Sequence, residues 1–247
     1  KLAQDALIDS ADIIAAVGGD GTVNEVGRAL INSKGVLAII PVGSGNGLAR
    51  HLGIPVGLAK AIKALNHGYP VFIDTGRINE KTFLGIAGIG FDAHIAHKFD
   101  LFGKRGFFSY CQVASEEFSL YAPQSYFITI DGKQISRKAF ILTFANSSQY
   151  GNNFIIAPKA RVSDGYLDLV IIDDIPIYSI PQFLYRFGQG TLNHSRHFET
   201  YPFKEITIQH PSMQAHIDGE PVVFENEITV TIQPKSLKVL VPKKDRH

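Results

Sequence analysis

Two glycine-rich turns near the start of the chain carry residue types that bind anions. Residues 18–22 (Gly-Gly-Asp-Gly-Thr) follow an apolar run at residues 13–17, and residues 43–47 (Gly-Ser-Gly-Asn-Gly) follow one at residues 36–42. Each turn precedes a helical pattern, so its backbone N–H groups and the helix N-terminus could face a phosphate. Neither turn matches GxxxxGKS/T or GxGxxG, so neither a Walker-type site nor an ordinary dinucleotide fold is indicated. Tight βα turns without a ligand are the alternative.

Asp20 lies inside the first turn. A carboxylate among phosphate-binding amides would repel a bare nucleotide, so a divalent cation is expected between them. An aspartate at the start of a helix is also a common N-cap, and Thr22 could cap the same helix. The residue therefore predicts either a cation-linked phosphate site or a helix cap.

Three Asp-Gly pairs in the second half of the chain predict turns. Asp131-Gly132 and Asp218-Gly219 each stand between apolar runs, which is a strong short-range signal for a β-hairpin. Asp164-Gly165 reads as a turn in the same way. Glu220 follows one pair where Lys133 follows another. On pattern alone these are turns, and nothing local sets Glu220 apart from Lys133.

Two kinds of domain must position these residues. Residues 1–70 alternate apolar strands with helices, which predicts an α/β unit whose parallel sheet is covered on both faces. Over residues 71–247, many strand patterns and few helices predict an antiparallel sandwich or barrel. The strand patterns lie at residues 126–130, 139–144, 166–172, 206–208 and 228–232, and the helical patterns at residues 107–120 and 177–187.

The composition excludes several classes of protein. The 247 residues are 45% hydrophobic and 19% charged, which is a globular composition. A net charge of +1 without a basic run argues against nucleic-acid binding. The single cysteine cannot form an internal disulfide and favours a reducing compartment, hence the cytoplasm. The longest uncharged stretch, residues 139–158, is too polar to span a bilayer, so no transmembrane segment is expected.

The two turns in context resemble one known family. Gly-Gly-Asp-Gly-Thr-Val-Asn-Glu-Val at residues 18–26, followed by Pro-Val-Gly-Ser-Gly-Asn-Gly-Leu-Ala-Arg at residues 41–50, is similar to the diacylglycerol kinase catalytic-domain family. That family includes bacterial lipid kinases, sphingosine kinases and ceramide kinases. The resemblance continues in order along the chain, through Gly-Ile-Gly-Phe-Asp-Ala at residues 88–93, Asn146, Tyr-Gly at residues 150–151, Ala-Pro-Lys-Ala at residues 157–160, Asp-Gly-Tyr-Leu-Asp at residues 164–168 and Asp-Gly-Glu at residues 218–220.

The resemblance implies a fold and a set of roles. The fold would be an ATP-binding α/β domain at residues 1–70, like that of NAD kinase and diacylglycerol kinase, and a mainly antiparallel β-sandwich at residues 71–247 whose C-terminal end packs back on the first domain. Asp20, Asp92 and Asp164 would belong to a magnesium-linked acidic network, with Asp92 also on the substrate side. ATP would contact Gly19, Asp20, Gly21, Thr22, Val23, Asn24, Glu25, Ser44, Gly45 and Asn46.

The remaining implied roles lie in the second domain. A cation would be held by the carboxylate of Asp164 and the backbone carbonyls of Arg161 and Tyr166. Glu220 would be the general base, with Asp218 beside it. This agrees with phosphoryl transfer, which asks for charge neutralisation, positioning and one group to take the proton of the attacking hydroxyl.

The function implied is an ATP-dependent lipid kinase that phosphorylates diacylglycerol, a sphingoid base or a related lipid at a membrane surface. A kinase of a soluble compound such as NAD, or a non-catalytic nucleotide- or lipid-binding regulator, is the alternative. A homodimer is left open. Aromatic and cationic residues interleave at residues 97–108, which predicts either contact with the inner face of the membrane or helices flanking the core with solvated charges.

The chain departs from the family pattern at three places. Ser44 stands where many members have threonine, and Asn46-Gly47 where they have an Asn-Asp pair; the Gly-Ser-Gly-Asn form is closer to sphingoid-base kinases. Asn152-Asn153 replaces part of a glycine triplet. The sequence begins at Lys1 with a helical pattern, whereas family members begin with a further βα unit. The expectation is a chain without those first strands, incomplete at the ATP crevice and weakly active or inactive.

Overall fold

The computed structural model describes residues 1–102, 107–210 and 213–243. The helices are α1 Leu2–Ile8, α2 Asp20–Leu30, α3 Gly47–His51, α4 Leu58–Asn66, α5 Phe91–Phe102, α6 Phe107–Phe118 and α7 Ile180–Gln189. The strands are β1 Ile13–Gly18, β2 Val36–Pro41, β3 Tyr69–Ile78, β4 Lys81–Phe83, β5 Ile86–Gly90, β6 Gln124–Ile130, β7 Lys133–Ala139, β8 Ile141–Ala145, β9 Gln149–Gly151, β10 Phe154–Ile155, β11 Leu167–Ile172, β12 Phe198–Phe203, β13 Glu205–Gln209, β14 Met213–Ile217, β15 Glu220–Phe224 and β16 Glu227–Val241.

The strands β1 and β2 pair in parallel, as predicted. Their register runs from Ile13 opposite Val36 to Gly18 opposite Pro41, so both strands end at the same edge of the sheet. The two glycine-rich turns therefore begin side by side. Buried side chains of α2, β2 and α4 form the core of this unit, because each element turns an apolar face inward.

The last strand, β16, joins the two halves of the molecule. Its C-terminal part pairs in parallel with β2 and antiparallel with β3, and its N-terminal part pairs with β13. One sheet therefore runs β1-β2-β16-β13-β6-β7, with β3 and β4 attached through β16. The sequence predicts a strand only at residues 228–232 of this element. The pairing register shifts between Gln233 and Leu237, and the strand then continues.

A second, antiparallel sheet completes a sandwich. Its strand order is β12-β11-β8-β5-β14-β15. A buried cluster that includes Phe83, Phe144 and Phe203 fills the space between this sheet and the second-domain part of the first one. The α/β unit plus an antiparallel sandwich confirms the predicted fold class.

Two of the predicted turns are hairpins of one conformation. Asp131-Gly132 joins β6 to β7 and Asp218-Gly219 joins β14 to β15, and all four residues have positive φ. That backbone matches the type I′ turn that Asp-Gly pairs favour.

The helices α5, α6 and α7 pack on the outer face of the antiparallel sheet. The helix α5 has no counterpart among the sequence predictions, whereas α6 and α7 agree with the patterns at residues 107–120 and 177–187. In the segment at residues 97–108, Lys104 and Arg105 lie outside the described residues, so its membrane role stays a prediction. Among the helices that the structure describes, none is long and apolar enough to cross a membrane.

Candidate active site between the two domains

The two glycine-rich turns touch through their backbones. A Cβ on Gly43 would overlap the Cα of Gly19, so only glycine fits at this contact. The buried side chain of Asn46 closes the second turn, because its Oδ1 accepts from the N–H of Gly43 and its Nδ2 donates to the carbonyl of Gly43. Asn46, predicted to contact ATP, thus shapes the turn through its side chain.

The carboxylate of Asp20 joins the two turns. Its Oδ1 accepts from the N–H of Gly47 at 2.8 Å, and its Oδ2 lies 2.8 Å from the position that a Cβ on Gly45 would take. Gly19 occupies the N-cap position of α2, where no side chain provides a cap, so the helix-cap alternative for Asp20 and Thr22 is wrong. Asp20 instead holds the second turn against the first.

Asp20 carries an unfavourable negative charge in this position. Burial and the nearby carboxylate of Asp218 raise its pKa to about 6, although backbone N–H groups at Gly47, Asn46 and Leu48 oppose the rise. A divalent cation beside this carboxylate would offset both effects, since it supplies positive charge where water is partly excluded. The site therefore suits a ligand that brings a cation with it.

Asp218 ties the domains together. Its two carboxylate oxygens accept backbone N–H bonds from Leu84, Gly85 and Ile86, each at 2.9 Å, and a bond from the side-chain amide of Asn24 on α2. Asn24 also lies within 3.4 Å of the carbonyl of Thr82. These contacts fix the β14–β15 hairpin relative to the first turn of α2.

Glu220 reaches the first glycine-rich turn from the other domain. It is exposed, and its Oε1 lies 2.9 Å from the position that a Cβ on Gly21 would occupy. The equivalent hairpin residue, Lys133, begins β7 at the far edge of the other sheet. The fold therefore distinguishes two residues that the local pattern could not. An exposed carboxylate at this place can accept a proton from a bound hydroxyl.

Asp92 lies in a buried polar network. Its Oδ1 accepts from the N–H of Ala93, and its Oδ2 accepts from the hydroxyl of Tyr150, from Nε2 of His216 at 3.0 Å and from the hydroxyl of Thr143. Burial and Asp92 raise the pKa of Tyr150 well above its ordinary value, so the phenol stays a donor. Within the described part of the chain, no residue provides a hydrogen-bond partner for the buried Nδ1 atom of His216.

Sequence reasoning missed this network beyond Asp92. Tyr150 lies in a family motif for which the resemblance implies no catalytic or binding role, and His216 and Thr143 lie in no predicted site. The alternation of strands β8 and β14 is the available signal, because it places a polar side chain on the face opposite the sandwich core. Asp92 is 5% exposed, and its place on the substrate side stays a prediction.

The turn around Asp164 is exposed, and a hydrogen bond to the buried Asp74 holds it in place. The Oδ1 of Asp164 accepts from the N–H of Tyr166 at 3.1 Å. The buried carboxylate of Asp74 accepts from the N–H groups of Gly165 and Lys235 and so joins this turn to β16. Burial and, to a smaller extent, the negative charge of Asp164 raise the pKa of Asp168.

The oxygen ligands implied for a cation here suit the preference of Mg²⁺. They are the Asp164 carboxylate and the carbonyls of Arg161 and Tyr166, and hard cations take such oxygen atoms. Within residues 1–102, 107–210 and 213–243, however, no group of three or more His, Cys, Asp or Glu side chains is placed to hold a metal. The acidic network of Asp20, Asp92 and Asp164 stays a prediction.

A loop of the second domain packs on the second glycine-rich turn. The N–H of Asn152 donates to the carbonyl of Gly45 at 3.1 Å, and Arg50 links the same carbonyl to the side chain of Asn153. Asn152 and Asn153 both have positive φ, a conformation that asparagine tolerates better than most residues. Asparagine in place of glycine is therefore compatible with the backbone conformation of this loop, and the side chain of Asn153 adds a hydrogen bond to Arg50.

The remaining implied ATP contacts divide by exposure. Thr22, Glu25 and Ser44 are exposed at the two turns, whereas Val23 is buried in the core of the first unit. A buried Val23 could contact a nucleotide only through its backbone. The roles of all these residues stay predictions.

Comparison with known proteins identifies the relatives of this chain. Residues 85–241 match the family model of the YegS C-terminal NAD kinase beta sandwich-like domain, and residues 1–78 match that of the diacylglycerol kinase catalytic domain. The chain belongs to the diacylglycerol kinase family. It is therefore a kinase, and the family supports a lipid-kinase role.

Individual relatives agree with this membership. The chain is 30% identical over 248 residues to the protein named "Probable lipid kinase YegS-like" of Pseudomonas aeruginosa, which covers 98% of this chain and 80% of the relative. It is 27% identical to a diacylglycerol kinase of Mycobacterium tuberculosis, over 96% of this chain and 79% of that one. A crystal structure of a diacylglycerol kinase from Bacillus anthracis shares the fold, with a TM-score of 0.74 at 21% identity over 97% of this chain and 79% of that one.

Proposed function

We propose that this kinase transfers the γ-phosphate of ATP to a hydroxyl group of diacylglycerol, a sphingoid base or a related lipid. The observation that carries the proposal is the approach of Glu220, from the second domain, to Gly21 in the first glycine-rich turn. It puts a carboxylate that can accept a proton beside backbone N–H groups that can bind phosphate.

The nucleotide phosphates would lie along the two turns. The backbone N–H groups at the start of α2 and the exposed hydroxyl of Ser44 would bind them, and Asp20 would hold the turns together from behind. Mg²⁺, when bound with the nucleotide, would neutralise charge on the phosphates and on Asp20.

Glu220 would act as the general base. As the hydroxyl oxygen of the lipid attacks the γ-phosphorus, the bond to the β-phosphate oxygen breaks and the hydroxyl proton passes to the Glu220 carboxylate. Asp218 has its oxygens occupied by four donors, so its role would be to position the hairpin that carries Glu220. Asp92 would act in the same way, by fixing Tyr150 beside the second turn.

The exposed turn at Asp164 would bind a second Mg²⁺. Asp164, with the carbonyls of Arg161 and Tyr166, would hold it, and the anchor at Asp74 would keep the turn in place. This cation would stabilise the second domain.

The test is a lipid-panel phosphorylation assay with product identification by mass spectrometry. The panel contains diacylglycerol, sphingoid bases and ceramide, with NAD as the soluble acceptor. We expect Glu220→Gln to lower kcat at least about 100-fold, while Lys133→Gln, at the same place in the matching hairpin, leaves it unchanged. Equal activity of Glu220→Gln and wild type would remove Glu220 as the base. Turnover of NAD alone, or of no acceptor at all, would contradict the proposed lipid substrate.

A further inference from the structure

The solvent side of α7 and of the short turn before it exposes large hydrophobic side chains and no charged residue. Four large hydrophobic side chains are exposed within nine residues, with exposed fractions of 73% for Ile177, 76% for Tyr178, 51% for Leu184 and 68% for Tyr185. We call these four residues the α7 patch. Single exposed hydrophobic residues are common on proteins, but a contiguous group of them marks an interaction surface.

The α7 patch has two parts. Leu184 and Tyr185 are exposed on α7 itself, and Ile177 and Tyr178 are exposed on the 3-10 turn Ile177–Ser179 that leads directly into it. Arg186 is the single charged residue in residues 177–189, and it lies on the partly buried side. A surface helix normally carries charged residues on its solvent face. This helix carries none there, because its exposed residues (Pro181, Gln182, Leu184, Tyr185, Gly188 and Gln189) are all uncharged.

The inner face of α7 is already used. Ile180, Phe183 and Phe187 pack against the cluster on the outer side of the antiparallel sheet. The ring of Phe187 also contacts Phe154 and the edge of Tyr150, the residue that donates to Asp92. The helix that carries part of the α7 patch therefore packs beside Tyr150, a member of the polar network next to the candidate site.

The size and chemistry of the α7 patch favour a lipid bilayer over a second copy of the chain. A stable protein interface uses about 20 residues on each side, and four side chains on one helix and the turn before it fall far short of that. Tyrosines beside aliphatic side chains suit the boundary between headgroups and acyl chains. The exposed face lacks cations, so apolar insertion would drive binding, with little contribution from attraction to anionic lipids.

We propose that the α7 patch inserts into the surface of a lipid bilayer and seats the kinase on the membrane that holds its substrate. The choice of a bilayer rests on the proposed lipid-kinase function. Because insertion is apolar, the docking does not require anionic headgroups and resists salt.

The first test is co-sedimentation of the full chain with phosphatidylcholine vesicles at low salt and at about 0.5 M salt. The variant is Leu184→Gln/Tyr185→Ser, and the matched control is Phe127→Ser, which removes an aromatic ring of 67% exposure from β6. We expect wild type and the control to bind equally at both salt concentrations. The double variant should bind at least about tenfold more weakly, with unchanged circular dichroism.

Three results would overturn the docking proposal: binding that needs anionic vesicles and is lost in salt, binding that the double variant retains, or no vesicle binding by wild type. A dimer in sedimentation that the double variant dissociates would assign the patch to self-association instead. A separate assay compares diacylglycerol in vesicles with a monomeric short-chain form. The double variant should lose turnover only with vesicles. If wild type phosphorylates neither form of diacylglycerol, sphingoid bases and ceramide are tested in the same two forms. Failure with all of these lipids contradicts the proposed function, while vesicle binding still decides the docking.

Discussion

Asp20 is expected to trade stability for ligand binding, and replacing it with asparagine tests this directly. The pKa of Asp20 rises from 3.8 to about 6 in the folded protein. Because the folded state holds the proton more tightly than the unfolded chain does, the stability from this group is fully present below pH 3.8 and is lost as the pH rises through about 6. At neutral pH the ionised carboxylate therefore destabilises the nucleotide-free protein.

The magnitude follows from the pKa difference. A tenfold change in an acid dissociation constant corresponds to about 1.4 kcal/mol, so the rise of Asp20 amounts to about 3 kcal/mol. Asp20 keeps part of its side chain exposed, and solvent screening makes this an upper value. Asparagine has nearly the same shape, keeps an oxygen for the N–H of Gly47 and carries no charge. Asp20→Asn should therefore gain up to about 3 kcal/mol relative to wild type between about pH 4 and about pH 7.5.

The assay is urea unfolding of nucleotide-free protein at several pH values. Asp5→Asn, on an exposed position of α1, is the control and should show no such trend. Activity should fall sharply in Asp20→Asn, because the charge that would meet the nucleotide-bound cation is gone. A variant that is less stable than wild type at about pH 7.5, or a stability difference that does not change with pH, would refute this reasoning.

Two further substitutions probe the seam between the domains. Gly21→Ala places a Cβ 2.9 Å from Oε1 of Glu220, so we expect kcat to fall about tenfold or more with little change in Tm. The control is Gly188→Ala, where a Cβ meets nothing within 4 Å, and it should leave both kcat and Tm unchanged. Asn24→Ala leaves Asp218 without its side-chain donor and should cost about 1–3 kcal/mol in chemical denaturation. An unchanged unfolding midpoint would show that this bond does not hold the domains together.

Structural features that depend on neighbouring residues in the sequence were predictable. The parallel strands β1 and β2 are apolar runs that end in glycines, and the turns at Asp131 and Asp218 need positive φ that Asp-Gly pairs supply. The resemblance added the order of the motifs and the family. Each of these depends on residues close together in the chain.

Features that depend on distant residues were not predictable. Asn24 and Asp218 are 194 positions apart, and the sequence around neither residue indicates the hydrogen bond between their side chains. The hairpins before Lys133 and Glu220 have the same local pattern, and only the tertiary fold brings one of them to the first glycine-rich turn. The burial of Asp92 follows from Thr143, Tyr150 and His216, which lie on three different strands and meet at its carboxylate. No single segment of the sequence predicts this contact.

The shared strand β16 has a consequence for biosynthesis. It pairs with β2 and with most of β3, yet it follows all the other described strands along the chain. The first domain therefore cannot complete its sheet early in translation, and the β2 edge stays unpaired until residues 227–241 have been made. Such distant pairing slows folding and exposes an aggregation-prone edge in the meantime. A nascent chain stalled before residue 227 should need chaperone protection that the released protein does not.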